Sequence, residues 1–277
     1  PFWAKPLVVV AGSATHFPLA FLLFFLALSV VGLPAGTTTL ASISPVLEDG
    51  TPTPAALAGL QPGDTIISLD GVATPGWGDL RGAIETRPGE TVLLEVERDG
   101  EVLTLEAELA ALEEDGATQG HLGISPTTYN KRLGPLEGLQ QGGREVGQAV
   151  VASGQGLWQL ITGAPRLVAA VFGGNADELG ENRPVSPVGL VDFAGGLSLG
   201  WALMLVGSVA VFIGVLNVIP LYPLDGGHFA VALYEKIRGR RADVRKLMPV
   251  AAAVVAFLVI IGLLGIYLDI FHPFNPG

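Results

Sequence analysis

The residues best suited to carry out chemistry lie in the segment 217–228, whose sequence is NVIPLYPLDGGH. Its acid, Asp225, follows a long apolar run, and a carboxylate at membrane depth costs about 2.5–3.5 kcal/mol unless a cation or a polar cavity compensates it. The segment also contains four residues that break a helix or permit a tight turn: Pro220, Pro223, Gly226 and Gly227. A broken helix with an acid at its end indicates a functional site. The alternative is an aspartate at the aqueous interface that caps the following helix, residues 229–237.

The elements that must position Asp225 are membrane helices. Hydrophobic residues make up 49% of the 277 residues and charged residues 15%, whereas a soluble domain usually carries about 25% charge. A span needs roughly 20 apolar residues, and three charge-free runs satisfy this: residues 6–47 with a dense part at 7–31, residues 193–224 and residues 247–268. A fourth charge-free stretch, 146–165, contains three Gln, four Gly and one Ser, which predicts an amphipathic helix on the membrane surface or on the helical bundle.

The distribution of charge predicts the orientation of the spans. Residues 225–246 contain six basic and three acidic residues, whereas residues 34–192 contain eight basic and twenty-two acidic residues. Because short cytoplasmic loops are enriched in Lys and Arg, we expect the 225–246 loop in the cytoplasm and residues 34–192 outside, in a multi-pass protein of the cell membrane. The net charge of −11 argues against nucleic acid as a partner, and a sequence without cysteine offers no thiolate ligand and no disulfide.

Between the first and second runs the pattern changes to short alternating segments, which indicate a β-rich domain of residues 36–112. The predicted elements are a strand at 65–69, a helix at 79–86, and a hairpin of strands at 91–98 and 101–109. The hairpin turns at Asp99-Gly100, a pair that readily adopts positive φ. We expect residues 113–192 to form an extracytoplasmic linker that contains the amphipathic helix.

The stretch 53–71, TPAALAGLQPGDTIISLDG, closely resembles bacterial PDZ domains. PDZ domains bind an extended peptide as an added strand at an open sheet edge. The resemblance implies a peptide groove between a strand at 40–44 and the helix, lined by Leu40, Ile43, Leu80 and Ile84. The alternative is a domain that acts as a steric spacer with an empty groove.

The segment 217–228 resembles the second metal-binding motif of site-2 proteases, which are intramembrane zinc metalloproteases. The shared pattern N-x-x-P-x-x-x-L-D-G is complete in this sequence. Residues 7–17 (LVVVAGSATHF), the inserted PDZ domain and residues 183–189 (RPVSPVG) extend the resemblance over nearly the whole chain. Their order is similar to that of the PDZ-bearing bacterial branch that cleaves anti-sigma factors.

The resemblance implies a zinc ion held by Asp225 and two histidines, with a glutamate as general base. Asn217 and Pro220 would contact the substrate, and three residues would support the motif: Leu224, Gly226 and Gly227. In the family the histidines and the base come from an H-E-x-x-H motif, which this sequence lacks, since none of its four histidines is followed by Glu. The start at Pro-Phe-Trp without Met favours a truncated protease over a naturally inactive relative. A replacement site built from His16, His228 and Asp225 is a further alternative.

These observations predict an α+β fold: a polytopic helical membrane protein with three visible transmembrane helices and an inserted PDZ-like domain. Residues 1–35 would hold the first visible helix, and residues 193–277 the other two with the metal motif. The predicted function is an intramembrane zinc endopeptidase that cleaves a membrane-spanning protein such as an anti-sigma factor. The alternative is a non-catalytic PDZ membrane adaptor. A transporter would also use a broken helix, but the sequence shows no repeat of that feature.

Overall fold

The structure is a computed structural model that describes residues 12–47, 49–114, 116–173, 186, 189–191, 195–240 and 242–271. The start of the first apolar run and most of the 183–189 motif lie outside the described residues. The helices used below are α1 (His16–Phe25), α2 (Pro54–Leu57), α3 (Trp77–Glu85), α4 (Pro135–Gly173), α5 (Leu199–Val218), α6 (Asp225–Arg238) and α7 (Val244–Phe271). The strands are β1 (Leu33–Ile43), β2 (Thr65–Leu69), β3 (Val72–Ala73), β4 (Thr91–Arg98), β5 (Glu101–Glu108), β6 (Ala110–Glu114), β7 (Ala117–His121) and β8 (Ile124–Lys131). The chain divides into two compact units, a helical unit of residues 1–32 and 132–277 and a β-rich unit of residues Leu33–Lys131.

Three helices among the described residues are long and apolar enough to cross a membrane. They are Gly12–Val31, which contains α1 and its π-helical continuation, Leu199–Val218, and Arg245–Phe271, with mean hydropathies of 2.1, 2.3 and 2.8. The first two helices lie within predicted charge-free runs, and the third contains the whole of the third run. The predicted fold class, three apolar spans combined with a β-rich domain, is therefore confirmed.

Small residues of α5 allow α1 to pack closely against it. A Cβ at Gly207 would overlap the ring of Phe24, and a Cβ at Gly214 would lie 3.1 Å from His16 Cβ. Ala20 and Val211 are fully buried in the same contact. Because the contact runs from Phe24 and Gly207 at one end to His16 and Gly214 at the other, α1 and α5 are antiparallel.

The predicted amphipathic helix is much longer than 146–165, since α4 has 39 residues. It packs on the helical bundle, which was one of the two alternatives. Near its start a Cβ at Gly138 would overlap the hydroxyl of Ser29, and near its end Leu167 is buried beside Leu264 and Leu268 of α7. This packing on the first and third spans compensates a sequence that is poor in strong helix formers.

The β-rich unit is a six-stranded antiparallel sheet with the order β5-β4-β2-β1-β8, in which β3 adds to β2. β6 and β7 form a separate two-stranded hairpin. Alternating residues of the central strands fill a core with α3; its fully buried members include Leu40, Ile66, Leu80, Leu94 and Val96. At the β4–β5 turn Asp99 and Gly100 have φ of 53° and 84°, the positive values that the predicted Asp-Gly turn requires.

The β-rich unit extends beyond the predicted 36–112 at both ends. Its last strand, β8, pairs with β1 so that Leu33 lies opposite Lys131. The sequence of β8, ISPTTYNK, is mostly polar and exposed, so it carries no apolar alternation from which a strand would be predicted. Residues 113–131, which the sequence reading assigned to a linker, therefore belong to this unit in the structure.

Candidate functional site

The turn that carries Asp225 joins α5, which ends at Val218, to α6, which begins at Asp225. The N–H of Leu221 donates to the carbonyl of Ile219 at 2.7 Å, and the N–H of Leu224 donates to the carbonyl of Leu221 at 2.8 Å. Leu224 is the N-cap residue of α6 in an extended conformation, with φ −65° and ψ 159°. The helix break that the two prolines predict is present, and it places the Asp225 carboxylate in the first turn of a new helix.

The glycine pair after Asp225 allows the first turn of α6 to touch the preceding backbone. A Cβ at Gly226 would overlap the carbonyl oxygen of Val218, and a Cβ at Gly227 would overlap the backbone of Leu221 and Tyr222. Only residues without a side chain can lie this close to a main chain. Gly226 and Gly227 therefore set the position of Asp225 relative to the end of α5.

Asp225 has a partner that the sequence reading did not identify. The hydroxyl of Ser13 donates a hydrogen bond of 2.9 Å to Asp225 Oδ2, and Ser13 is 5% exposed. Ser13 belongs to the 7–17 stretch that carries the family resemblance, but a lone hydroxyl gives no sign of its partner. The contact joins the beginning of the first span to the first turn of α6.

Asn217 and Asp225 line one cavity of about 230 Å³, together with Ser13, Ala14, Phe17, Val218, Gly226 and Phe229. The cavity is mainly apolar, and its polar groups are an amide, a hydroxyl and a carboxylate. The structure thus brings together the predicted ligand, Asp225, and one of the two predicted substrate-contacting residues. Pro220 lies apart from them and lines a different cavity, on another face of α6.

The described residues provide part of a zinc site and not a complete one. Among them no group of three His, Asp, Glu or Cys side chains lies close enough to hold a metal ion. The His228 ring packs edge-on against Tyr222, with 4.7 Å between the ring centroids, and His16 packs against Gly214. The replacement site of His16, His228 and Asp225 is therefore not formed. Asp225 is suited to be one ligand, and the described residues do not complete a three-ligand group around it.

The β-rich unit has its own cavity of about 230 Å³. One wall is α3, with Trp77, Arg81 and Ile84, and the other wall is the segment 119–124, which leads from β7 into β8. The segment includes Gly123, whose φ of 84° is in the left-handed region that glycine adopts without strain. The cavity therefore lies between a helix and a glycine-containing loop.

The position of this cavity corrects the predicted groove between α3 and β1. Gly36 of β1 lies so close to α3 that a Cβ there would be 2.8 Å from Trp77 Cγ, so α3 packs directly on this part of β1. Leu40 and Leu80 are 1% and 0% exposed and belong to the core, and Ile43 packs against that core. Of the four predicted groove residues only Ile84 lines the cavity.

A partly buried ion pair fixes the loop between α2 and β2. Arg98 donates from Nε and Nη2 to the two carboxylate oxygens of Asp64, each at 2.7 Å, and the N–H of Gln61 donates to Asp64 Oδ2 at 2.8 Å. Asp64 is 1% exposed. The Arg98 guanidinium, followed by the Gln61 hydrogen bond, holds the pKa of the Asp64 carboxyl below its ordinary value, against the opposing effect of burial.

The chain is similar to known proteins over nearly its whole length. The profile of peptidase family M50 matches residues 1–261. Zinc metalloprotease Rip1 of Mycolicibacterium smegmatis is 28% identical over 315 residues, which cover 99% of this chain and 75% of Rip1. The regulator of sigma-E protease RseP of Escherichia coli is 30% identical over 200 residues, which cover 71% of this chain and 43% of RseP. The crystal structure of the PDZ domain of an SdrC-like protein from Listeria monocytogenes aligns with 33% of this chain at 24% identity and a TM-score of 0.26.

Proposed function

The chain belongs to peptidase family M50, and from this premise we propose that it is an intramembrane zinc endopeptidase in which Asp225 is a metal ligand. The family membership confirms the resemblance to site-2 proteases that the segment 217–228 carries. The observation that supports the ligand role is the carboxylate of Asp225 in a mainly apolar cavity at the end of a candidate membrane span. A carboxylate in such a place needs a compensating cation.

Each polar residue of the cavity has a distinct role in this proposal. Asp225 binds the ion, and the Ser13 hydroxyl orients the carboxylate by its hydrogen bond to Oδ2. The amide of Asn217 lines the same cavity and holds the backbone of the substrate, since an unpaired amide there would be costly. Zinc, when bound, supplies Lewis acidity and activates water for hydrolysis.

Pro220 has an indirect role in the same proposal. It lies outside the Asp225 cavity, in the turn between α5 and α6. It acts through the helix break that brings Asp225 next to Asn217, so we expect it to influence the substrate by positioning other residues and not by contact.

The proposal requires two histidine ligands and a general base in addition to Asp225. The family resemblance implies that these groups come from an H-E-x-x-H helix, and the sequence contains no such motif. The proposed active site is therefore complete only when an H-E-x-x-H helix joins the α1–α5 pair.

We propose a membrane-spanning protein as the substrate. The site lies at the end of a candidate span, and RseP, a relative, is named a regulator of sigma-E protease, which favours an anti-sigma factor. The balance of basic and acidic residues favours a multi-pass protein of the cell membrane with the β-rich unit on the extracytoplasmic side.

The β-rich unit would act as a PDZ domain that accepts a peptide in the cavity between α3 and the segment 119–124. Arg81 and Glu85 form an ion pair on one rim, and exposed Leu112 lies on another. A cavity with charged groups at its edge and apolar residues inside suits an extended peptide with an apolar side chain. The spacer alternative predicts that no peptide binds there.

The ligand role is tested in the protein expressed from its complete gene and reconstituted in vesicles. Asp225→Asn should abolish cleavage of a membrane-spanning reporter and lower the zinc bound per protein. Asp243→Asn is the matched control, because Asp243 is an exposed acid of the same loop. Unchanged zinc content and cleavage in Asp225→Asn would refute the ligand role. Absence of zinc from the wild-type protein, with peptide binding retained, would instead identify a membrane adaptor.

A further inference from the structure

A second cavity of the helical unit, about 350 Å³ in volume, lies beside the 220–222 turn. One face of α6 forms a wall of it, through Gly227, Ala230, Val231 and Tyr234. Their i, i+3, i+4, i+7 spacing is that of a single helix face. The first turns of α7 form the opposite wall, with Leu247 and Val250. The lining is mainly apolar and is separate from the Asp225 cavity, which uses another face of α6.

One cation lines this apolar cavity, and a second packs on the ring of one of its lining residues. Lys246 is one of its lining residues. The Arg238 guanidinium lies over the ring of Tyr234, with 5.9 Å from Cζ to the ring centroid. Neither cation forms an ion pair with a carboxylate in the part of the chain that the structure describes. The acid at the rim, Asp243, accepts a hydrogen bond of 3.1 Å from the backbone N–H of Arg245. Two cations, Lys246 and Arg238, therefore stand against one lining acid, Asp243, so positive charge prevails at the cavity.

The cavity lies at the level where two candidate spans end. The second span ends at Val218, and the third begins at Arg245. One wall of the cavity follows the end of the second span, and the other wall is the beginning of the third span. Large apolar side chains are exposed around it, among them Leu221 at 42%, Ile237 at 75% and Met248 at 60%. A protein surface in contact with lipid headgroups typically combines apolar residues, tyrosine and unpaired cations at the ends of membrane helices.

We propose that this cavity binds one anionic phospholipid. The phosphate lies between Lys246 and Arg238, and an acyl chain covers Ala230, Val231 and Val250. A soluble anion would be held by the cations alone and would leave the apolar walls exposed to water. An anionic lipid neutralises the cations with its headgroup and covers the apolar lining with an acyl chain. A lipid with no net charge covers only the apolar lining.

The bound lipid would stabilise the turn that carries Asp225. Tyr222 lines the cavity, and the backbone of that residue is packed against Gly227 so closely that a Cβ there would overlap it. A lipid between α6 and α7 therefore holds the 220–222 turn against α6 and limits the movement of Asp225. This role is independent of zinc and of the proposed protease activity.

The test is native mass spectrometry of the purified chain in detergent, with dioleoylphosphatidylglycerol or dioleoylphosphatidylcholine added. We expect one phosphatidylglycerol to bind in preference to phosphatidylcholine. The double variant Arg238→Gln/Lys246→Gln should weaken its binding roughly 30-fold, on the basis of two lost cation contacts at a lipid surface. The matched control Arg240→Gln/Arg245→Gln removes the same charge from the same loop, outside the cavity, and should bind as the wild type does.

A second variant tests the apolar wall without a change of charge. Ala230→Leu/Val231→Leu fills the cavity and should also weaken phosphatidylglycerol binding, and it decides the question if the double cation variant does not fold. Millimolar inorganic phosphate should leave lipid binding unchanged. Equal binding of the two lipids, equal loss in both charge variants, unchanged binding in the filled variant, or displacement of the lipid by phosphate would each overturn the proposal.

Discussion

The hydroxyl of Ser13 and the carboxylate of Asp225 are 2.9 Å apart, although 212 positions separate these residues in the chain. Ser13 reaches Asp225 because α1 packs closely on α5, with His16 against Gly214. The orientation of the carboxylate therefore depends on the packing of the first span on the second. A polar contact of this kind inside a membrane protein is expected at a functional site.

Ser13→Ala should lower the zinc affinity of the protein expressed from its complete gene by about tenfold, because loss of a hydrogen bond to a metal ligand typically has this effect. Cleavage should fall in parallel. Thr15→Ala is the control, since the Thr15 hydroxyl donates to the carbonyl of Gly12 in its own helix. A chelator competition titration measures the affinity. Equal zinc affinity in Ser13→Ala and in the wild type would remove Ser13 from the site.

Gly226→Ala should disrupt the site without removing any polar side chain. The added Cβ would overlap the carbonyl oxygen of Val218, so α6 must move away from α5 and Asp225 must move with it. We expect a loss of zinc binding and a lower melting temperature. Gly262→Ala in α7 is the comparison, since a Cβ at Gly262 meets nothing within 4 Å. If the two variants melt alike, the close approach at Gly226 is not required.

The features that the sequence predicted are those encoded by neighbouring residues. The strand at 65–69 and the turn at Asp99-Gly100 have the predicted positions, because alternation and positive φ are local properties. The break before Asp225 was also predictable, since proline cannot continue a helix. The three spans follow from apolar runs alone.

The features that it did not predict depend on residues far apart in the chain. β8 is polar, and its pairing with β1 spans about ninety residues. The eight glycines of α4 hide a helix that packing on α1 and α7 supports. No pattern among neighbouring residues indicates the Ser13–Asp225 contact or the cavity wall at 119–124. Tertiary contacts, and not propensity, determine each of these features.

The Asp64–Arg98 pair makes the stability of the β-rich unit sensitive to acid. The pKa of Asp64 is lower in the folded chain than in the unfolded chain, so its contribution to stability is complete above the ordinary aspartate pKa of about 4 and disappears as the pH falls through the lowered pKa. The protection factors of the β1 and β2 amides against hydrogen exchange should therefore fall below about pH 4.

Asp64→Asn should lower the melting temperature of the β-rich unit by roughly 5–10 °C and reduce the dependence of exchange on pH in this acidic range. Asp99→Asn gives the matched change at an exposed turn, where asparagine also tolerates the positive φ. It should melt as the wild type does. An acid transition of the same size in Asp64→Asn would exclude the ion pair as its cause.

The cavity of the β-rich unit should respond to substitution at its rim and not in its core. Leu112→Asp should lower the affinity for a peptide selected from a random library at least tenfold, because the exposed Leu112 side chain lines the cavity. Leu93→Asp, an exposed leucine outside it, should not. Leu40→Ala should instead cost about 2–5 kcal/mol of stability. Equal peptide affinity in both aspartate variants, measured by fluorescence anisotropy, would support the spacer role.

The opposite placement of Leu33 and Lys131 has a consequence for the evolution of the molecule. The chain enters and leaves the β-rich unit at adjacent points, and Arg132 donates back to the carbonyl of Val31 at 3.3 Å. Because these two points are adjacent, a domain can be inserted here without separating the helices that precede and follow it. A domain of another size inserted between residues 32 and 132 would therefore leave the spacing of the flanking helices unchanged.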